Sequence, residues 1–273
     1  MLEQLKYKNH VNEVFEFGKD GIFVNTNDLH DYEWTVTKKG GRIASLDRDI
    51  SKRQLPVIII CDTEEKGIAA RNRLMEVVEK DVLAMKHGQI ILGDYYFKCF
   101  VTKSQKKNYL TTKRLMEVTL TLNTDLPYWV KESTKSFGAA ISGTGVGLDF
   151  SHDFPYDFTS DVTVMEVNNP GFVASNFRLI IYGACRNPMV KVNGHAYQVN
   201  CDVASGEYLT IDSVSKKIFL TAIDGTTTNV FGLRNRESYI FEKIAPGRNA
   251  VTWNGEFGFD VILLEERSEP KWT

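Results

Sequence analysis

The second half of the chain is cut into nine short runs rich in β-branched and aromatic residues: Asp161–Val167, Phe177–Tyr182, Met189–Val192, His195–Val199, Tyr208–Ile211, Ile218–Thr221, Tyr239–Phe241, Ala250–Trp253 and Phe259–Leu264. None is long enough for a useful helix, and turn residues separate them. Asn193-Gly194 lies between two alternating runs. Both residues accept positive φ, so the pair predicts a type I′ hairpin. Asp224-Gly225 and Pro246-Gly247 predict two more reversals. So many short strands at such close spacing predict an antiparallel β-sandwich or jelly roll.

The first half mixes both periods. Phe15–Val24 and Tyr32–Thr37 read as short strands between Gly and Asn/Asp turns. Val57-Ile58-Ile59-Ile60-Cys61 predicts a strand buried on both faces. One helix is expected over 63–87. Asp62 and Glu65 would form its capping box, Ile68, Met75, Val78, Val82 and Met85 its apolar stripe, and Gly88 its stop. Ile90–Leu92, Tyr95–Thr102 and Met116–Leu122 follow as strands. The last alternates Met, Val and Leu with Glu and Thr, which predicts one wet face and antiparallel pairing.

Between the halves, residues 133–152 read STKSFGAAISGTGVGLDFSH, a linker composition. The expected organisation is a β-rich domain with one helix over 1–132, a linker over 133–152, and a β-sandwich over 153–273. The class is α+β, mostly β.

Charge narrows the function classes. The 33 basic and 35 acidic side chains leave a formal net charge of −2, without the basic excess of a nucleic-acid binder. Lys103, Lys106 and Lys107 form the densest basic cluster and read as a solvated hairpin loop. A membrane span needs about 20 apolar residues, and the longest uninterrupted run, 57–61, falls far short. The opening MLEQLKYKNH has no secretory apolar core. Cys61, Cys99, Cys185 and Cys201 are widely spread, which suggests reduced thiols and no zinc site.

Motifs for chemistry are sparse. Gly143-x-Gly145-x-Gly147 lacks the following helix and the Lys-Ser/Thr of a phosphate loop, so a linker is expected. Asp149, Asp153, Asp157 and Asp161 recur every four residues. Pro155 and the interleaved aromatics oppose a helix that would gather them. Glu207 with Asp212, and Glu256 with Asp260, could be named as carboxylate pairs, and turn capping accounts for them equally well. His87 is expected at the helix C-terminus, where its partial positive charge suits the dipole. Trp253-x-x-Glu256 is the one hint of a sugar site, since an indole face stacks on a pyranose while a carboxylate takes hydroxyls. It resembles part of the galectin signature Trp-x-x-Glu-x-Arg, with the Arg missing. Core packing is the competing role for Trp253. No catalytic residue, cofactor or metal ligand is expected.

The ordered segments NNPGFVASNFRLIIYGACRNPMVKVNGHAYQV, GEYLTID, IFEKIAPGRNAVTW and LLEERSEPKW resemble the C-terminal part of the siphovirus-type phage distal tail proteins (Dit). GQIILGDYYFKCFV, after a helix ending VEKDVLAMKHG, resembles their N-terminal part, and DFPYDF the bridge before the C-terminal domain. The resemblance implies a ring-forming N-terminal domain that assembles as a homo-oligomer, a hexamer, and an outward galectin-like β-sandwich. Its implied partners are the tail tube protein, the tail-associated hub protein (Tal), and receptor-binding or baseplate proteins. It implies a virion structural protein at the tail tip, assembled in the host bacterial cytoplasm, with no enzymatic activity. Glycan binding through Trp253 and Glu256 is the alternative expectation.

Overall fold

A computed structural model describes residues 5–139 and 165–272. The glycine run at 143–147, the four spaced aspartates, DFPYDF and the start of the expected strand at 161 lie outside the described residues. The chain divides into two compact units. One holds 1–131 together with 266–273, and the other holds 132–265. The expected division was two continuous stretches, whereas the last residues pack with the first unit. Ser133–Phe137, expected as linker, are strand.

The first unit contains β1 (Leu5–Lys8), β2 (Val14–Glu16), β3 (Ile22–Val24), β4 (Thr35–Lys39), β5 (Arg42–Asp47), β6 (Ser51–Ile60), α1 (Glu64–Ala84), β7 (Gly88–Leu92), β8 (Tyr95–Lys107), β9 (Leu115–Thr124) and the start of β10 (Trp129–Phe137). All pairings are antiparallel. The first half of β8 lies between β7 and the start of β10, and β1 and β2 continue beyond β7. The second half of β8 pairs with β9, which leads on to β6 and β3. β6 alternates. Leu55, Val57 and Ile59 are buried, and Ile60 is exposed, so this strand has one dry face rather than the expected two. Helix α1 packs on β6 and β8.

The helix differs from the expected one in three ways. Its N-cap is Thr63, whose hydroxyl accepts from the Lys66 amide, rather than Asp62. Its buried face is Gly67, Ala70, Leu74, Val77, Val78 and Asp81, while Ile68 and Met85 are exposed. Gly67 and Ala70 lie on the packed side because the helix runs close to another segment there. A Cβ on Gly67 would collide with the Lys113 carbonyl. Small residues carry little hydrophobic signal, so the stripe was read one step around the helix. The stop is Met85 at φ 50°, whose amide reaches back to the Asp81 and Val82 carbonyls. Gly88 instead opens β7, where a Cβ would collide with Asp81 and Tyr7.

The second unit holds β11 (Glu166–Asn169), β12 (Asn176–Tyr182), β13 (Cys185–Arg186), β14 (Met189–Val192), β15 (His195–Gln198), β16 (Asp202–Val203), β17 (Tyr208–Asp212), β18 (Lys217–Thr221), β19 (Thr227–Asn229), β20 (Gly247–Thr252) and β21 (Phe259–Arg267). One sheet runs β19-β18-β17-β12-β21 and takes in the later part of β10. The other runs β11-β20-β14-β15. Leu179, Ile181, Leu209 and Phe259 from the first meet Val190, Val192, Tyr197 and Val251 from the second in one core. This is a β-sandwich, and the whole fold is mostly β with a single α-helix among the described residues. Asn193-Gly194 turns with both φ positive, at 48° and 80°, joining β14 to β15. Tyr239–Phe241, expected as a strand, is loop. Ile240 and Phe241 are nevertheless buried and pin that loop to the core.

Candidate assembly surface

The residues singled out for sugar binding occupy a packed corner of the sandwich. The Trp253 indole N–H donates to the Phe257 carbonyl at 3.0 Å. Its ring meets Phe259 edge-on at 5.1 Å and Phe137 at 5.8 Å. Glu256 is exposed and accepts from the Asn254 amide at 2.8 Å, beside the same turn. The indole is thus committed to its neighbours, and packing accounts for Trp253. The other acids cap turns or bridge strands. Glu207 accepts the Ala204 amide, Asp212 those of Val214 and Ser215, and Asp260 the Tyr182 hydroxyl. That last bond, with burial behind it, pushes the Tyr182 hydroxyl up to about 12. His87 lies beyond the helix end, bonded to Asp125 at 2.7 Å and resting on Phe100. Lys103–Lys107 belong to the exposed end of β8, and the loop follows them. Among the described residues no three His, Cys, Asp or Glu gather to hold a metal. No described helix is long and apolar enough to cross a membrane.

The first unit does present unusual surface. β4 and β5 form a sheet of two strands only. From Asp31 to Ile50 every residue is exposed except Ser45 and Arg48, which are half-buried. The loop is Gly40-Gly41, with φ of 59° and 78°, as a two-residue hairpin requires. The register pairs Val36 with Leu46 and Lys38 with Ile43, and shifts by one residue between them. Without the shift, Ile43 and Leu46 would point to opposite sides. The bulge turns Ile43 onto the face of Leu46 and Val36. Their exposures are 64%, 53% and 43%. The opposite face is polar, with the Ser45 hydroxyl bonded to Asp47 at 2.6 Å.

The hairpin is fixed at its root. The Arg48 guanidinium sits 4.6 Å from the Trp34 ring centre and 5.4 Å from that of Tyr128, and donates to Ser268 at 3.3 Å. Nearby in sequence, His30 stacks on Trp272 at 4.2 Å. Arg53, buried, donates to the Leu29 carbonyl and lies over Phe97 at 4.3 Å. The Trp129 indole reaches the same carbonyl at 3.2 Å.

Elsewhere on this unit a groove of about 570 Å³ lies open, floored by Phe15, Ile22, Ala69 and Ala70, with Phe23 and Ile60 exposed in its wall. Among the described strands β2 pairs only with β1 and β3 only with β6, and the outer amide and carbonyl of Ile22 in β3 are taken by the turn through Gly18 and Lys19. Asp20 and Asp62 line the groove, and Glu64 and Glu65 follow in the first turn of α1. Glu16 bonds to Lys19 and Lys6, which hold its carboxyl down to about 2. Sequence reading found β4 but missed β5. The Gly40-Gly41 pair between Thr-Val-Thr-Lys-Lys and Arg-Ile-Ala-Ser-Leu-Asp was the available signal.

No family profile and no curated protein matches this chain. Solved structures do. A chain of the phage P2 baseplate, in its activated conformation with calcium, superimposes with a TM-score of 0.65 at 13% identity. The match covers 99% of this chain and 100% of that one. The strontium form of the p2 baseplate gives 0.65 at 12% identity, over 99% and 100%. The fold is therefore that of a phage baseplate component. More particularly, it is the fold of Dit: the SPP1 Dit protein (gp 19.1), described as a paradigm of the hub adsorption apparatus in phages infecting Gram-positive hosts, matches with a TM-score of 0.59 at 10% identity, over 97% of this chain and 99% of that one.

Proposed function

We propose that this chain is a structural hub of a phage or prophage tail, a distal tail protein whose hexameric ring joins the tail tube to the tail-tip apparatus. The observation that carries the reading is the shared fold over nearly the full length of both chains, both units included. In this reading the first unit builds the ring and the sandwich lies outside it. The tail tube protein binds one side and the tail-associated hub protein the other, with receptor-binding or baseplate proteins at the periphery. The protein works in the virion tail tip after assembly in the host cytoplasm, and it performs no catalysis. The surface of the first unit supports an assembling role, because an exposed amphipathic hairpin is material for subunit contacts. Imaging of native particles tests the reading: six copies are expected at the distal end of the tube, and density for this chain anywhere else rejects it. Host-wall glycan binding at Trp253 and Glu256 is the competing proposal. Binding of the intact protein on a glycan panel, lost in Glu256→Gln, would favour it.

A further inference from the structure

We propose that Asn254, in the loop after β20, is a site of spontaneous deamidation, and that buried Asn249 guards Asn193 from the same reaction.

The chain holds two Asn-Gly pairs, Asn193-Gly194 between β14 and β15 and Asn254-Gly255 between β20 and β21. Such pairs share one weakness. Glycine has no side chain to shield its backbone nitrogen, which can close on the asparagine side chain before it. The Gly255 nitrogen attacks Asn254 Cγ. A C–N bond forms, the bond from Cγ to Nδ2 breaks, and the side-chain nitrogen leaves as ammonia with the Gly255 amide proton. Water then opens the cyclic imide at one carbonyl or the other, leaving aspartate or isoaspartate. No oxidant is required.

The two sites differ in what holds the side chain. Asn254 is exposed and bonds within its own loop: Nδ2 donates to Glu256 at 2.8 Å, and Oδ1 accepts the Glu256 amide at 3.2 Å. The second bond folds the side chain forward along the backbone, towards the nitrogen that attacks it. Asn193 is fastened to β20 instead. Its Nδ2 donates to Asn249 Oδ1 at 2.6 Å, its Oδ1 accepts the Ala250 amide at 2.9 Å, and its own amide donates to the Ala250 carbonyl at 2.8 Å. Asn249 is fully buried, and its Nδ2 donates to the Val167, Ala245 and Gly247 carbonyls, so its Oδ1 is fixed as an acceptor facing Asn193. A carboxylate at 193 would press against that oxygen, which turns away only by stranding those carbonyls. At 254 the new carboxylate meets that of Glu256 in water, where repulsion is weak.

The test incubates the full chain at mildly alkaline pH, folded and in denaturant, and follows both by peptide-mapping mass spectrometry with isoaspartate detection. In denaturant the two pairs should react at comparable rates. In the folded protein Asn254 should react at least about tenfold faster than Asn193, because freeing Asn193 breaks two hydrogen bonds. Asn249→Ala should raise the Asn193 rate about tenfold and leave that of Asn254 unchanged. Should that variant fail to fold, Asn193→Asp and Asn254→Asp make the comparison: the first should lower the melting temperature of the second unit and the second should leave it in place. Asn254→Gln, whose longer side chain closes the ring poorly, should stay intact at that position. Equal or reversed rates in the folded chain overturn the proposal. So does a folded chain that reacts at neither site while the denatured chain reacts at both.

Discussion

The two units solve the same burial problem with different polar groups inside. The first buries charges: Asp81 is fully enclosed, and Arg53 nearly so. The second buries neutral amides and hydroxyls, chiefly Asn169, Asn249, Ser175 and Ser213. Asp81 accepts from the Tyr7 hydroxyl at 2.5 Å, from the His10 amide at 2.8 Å, and lies 2.6 Å from the His10 ring. It ties β1 and the turn after it to the last turn of α1. Asn249 binds the Val167, Ala245 and Gly247 carbonyls and accepts from Asn193, so it fastens turns at one end of the sandwich. The units also differ outside. The first leaves an apolar hairpin face and a groove, whereas the most exposed apolar residues of the second, among them Phe172 and Ile223, stand on loops. The sandwich is closed on both sheets, whereas the first unit is stapled by charge and leaves a groove and a hairpin open.

The contrast can be broken most sharply at Asp81. Asp81→Ala strands the buried Tyr7 hydroxyl and should lower the stability of the first unit by about 3 kcal/mol. Calorimetry should show that transition shifted and the sandwich transition unmoved; equal shifts would erase the distinction. Asn249→Ala is the reciprocal change and should cost the second unit about 2 kcal/mol.

Alkali probes the interior of the first unit without mutation. Burial pushes the Cys99 thiol from 9.0 to about 12, and burial likewise raises the Tyr7 hydroxyl. A group whose pKa is raised by folding contributes stability that is whole below its unfolded value and declines as pH rises towards its folded one. Between pH 9 and 12 Cys99 should therefore cost the first unit about 1.4 kcal/mol per pH unit. Denaturant midpoints across that range should show the decline, and Cys99→Ala should remove it between pH 9 and 10 and lessen it above, where the Tyr7 hydroxyl still contributes. Cys185 of the second unit, pushed up to about 11 mainly by partial burial, should give a decline that ends about one pH unit sooner.

Smaller effects sharpen the comparison. Trp253→Phe keeps an aromatic ring and loses the bond to the Phe257 carbonyl, so about 1 kcal/mol is expected from the second unit. Ile43→Asp, on the exposed hairpin, should change stability by less than about 0.5 kcal/mol, measured by thermal melting. A large loss there would mean that the hairpin is part of the fold it projects from.

Legibility in the sequence followed the same division. The sandwich was readable because its strands alternate and its turns use Asn-Gly and Asp-Gly, signals that act over a few residues. Tyr239–Phe241 misled because buried aromatics look alike in a strand and in a pinned loop. In the first unit the helix was visible but its face was not, since Gly67, Ala70 and the polar Asp81 hold the packed side. The surface was hardest. An apolar face produced by a bulge breaks the period of two, so Ile43 and Leu46 read as opposite-facing until the register is known. Trp253 drew notice as a chemical motif, while hydrogen bonding and ring contacts, which spacing cannot report, gave it a packing role.

The return of residues 266–273 to the first unit has a bearing on biosynthesis and descent. The sandwich is spliced into its host domain as a cassette, entered by β10 and left by β21, two strands that lie side by side. Such neighbouring entry and exit points let an inserted module be exchanged over generations with little disturbance to the frame around it. On the ribosome, Trp272 can stack on His30 only after the whole insert has been translated.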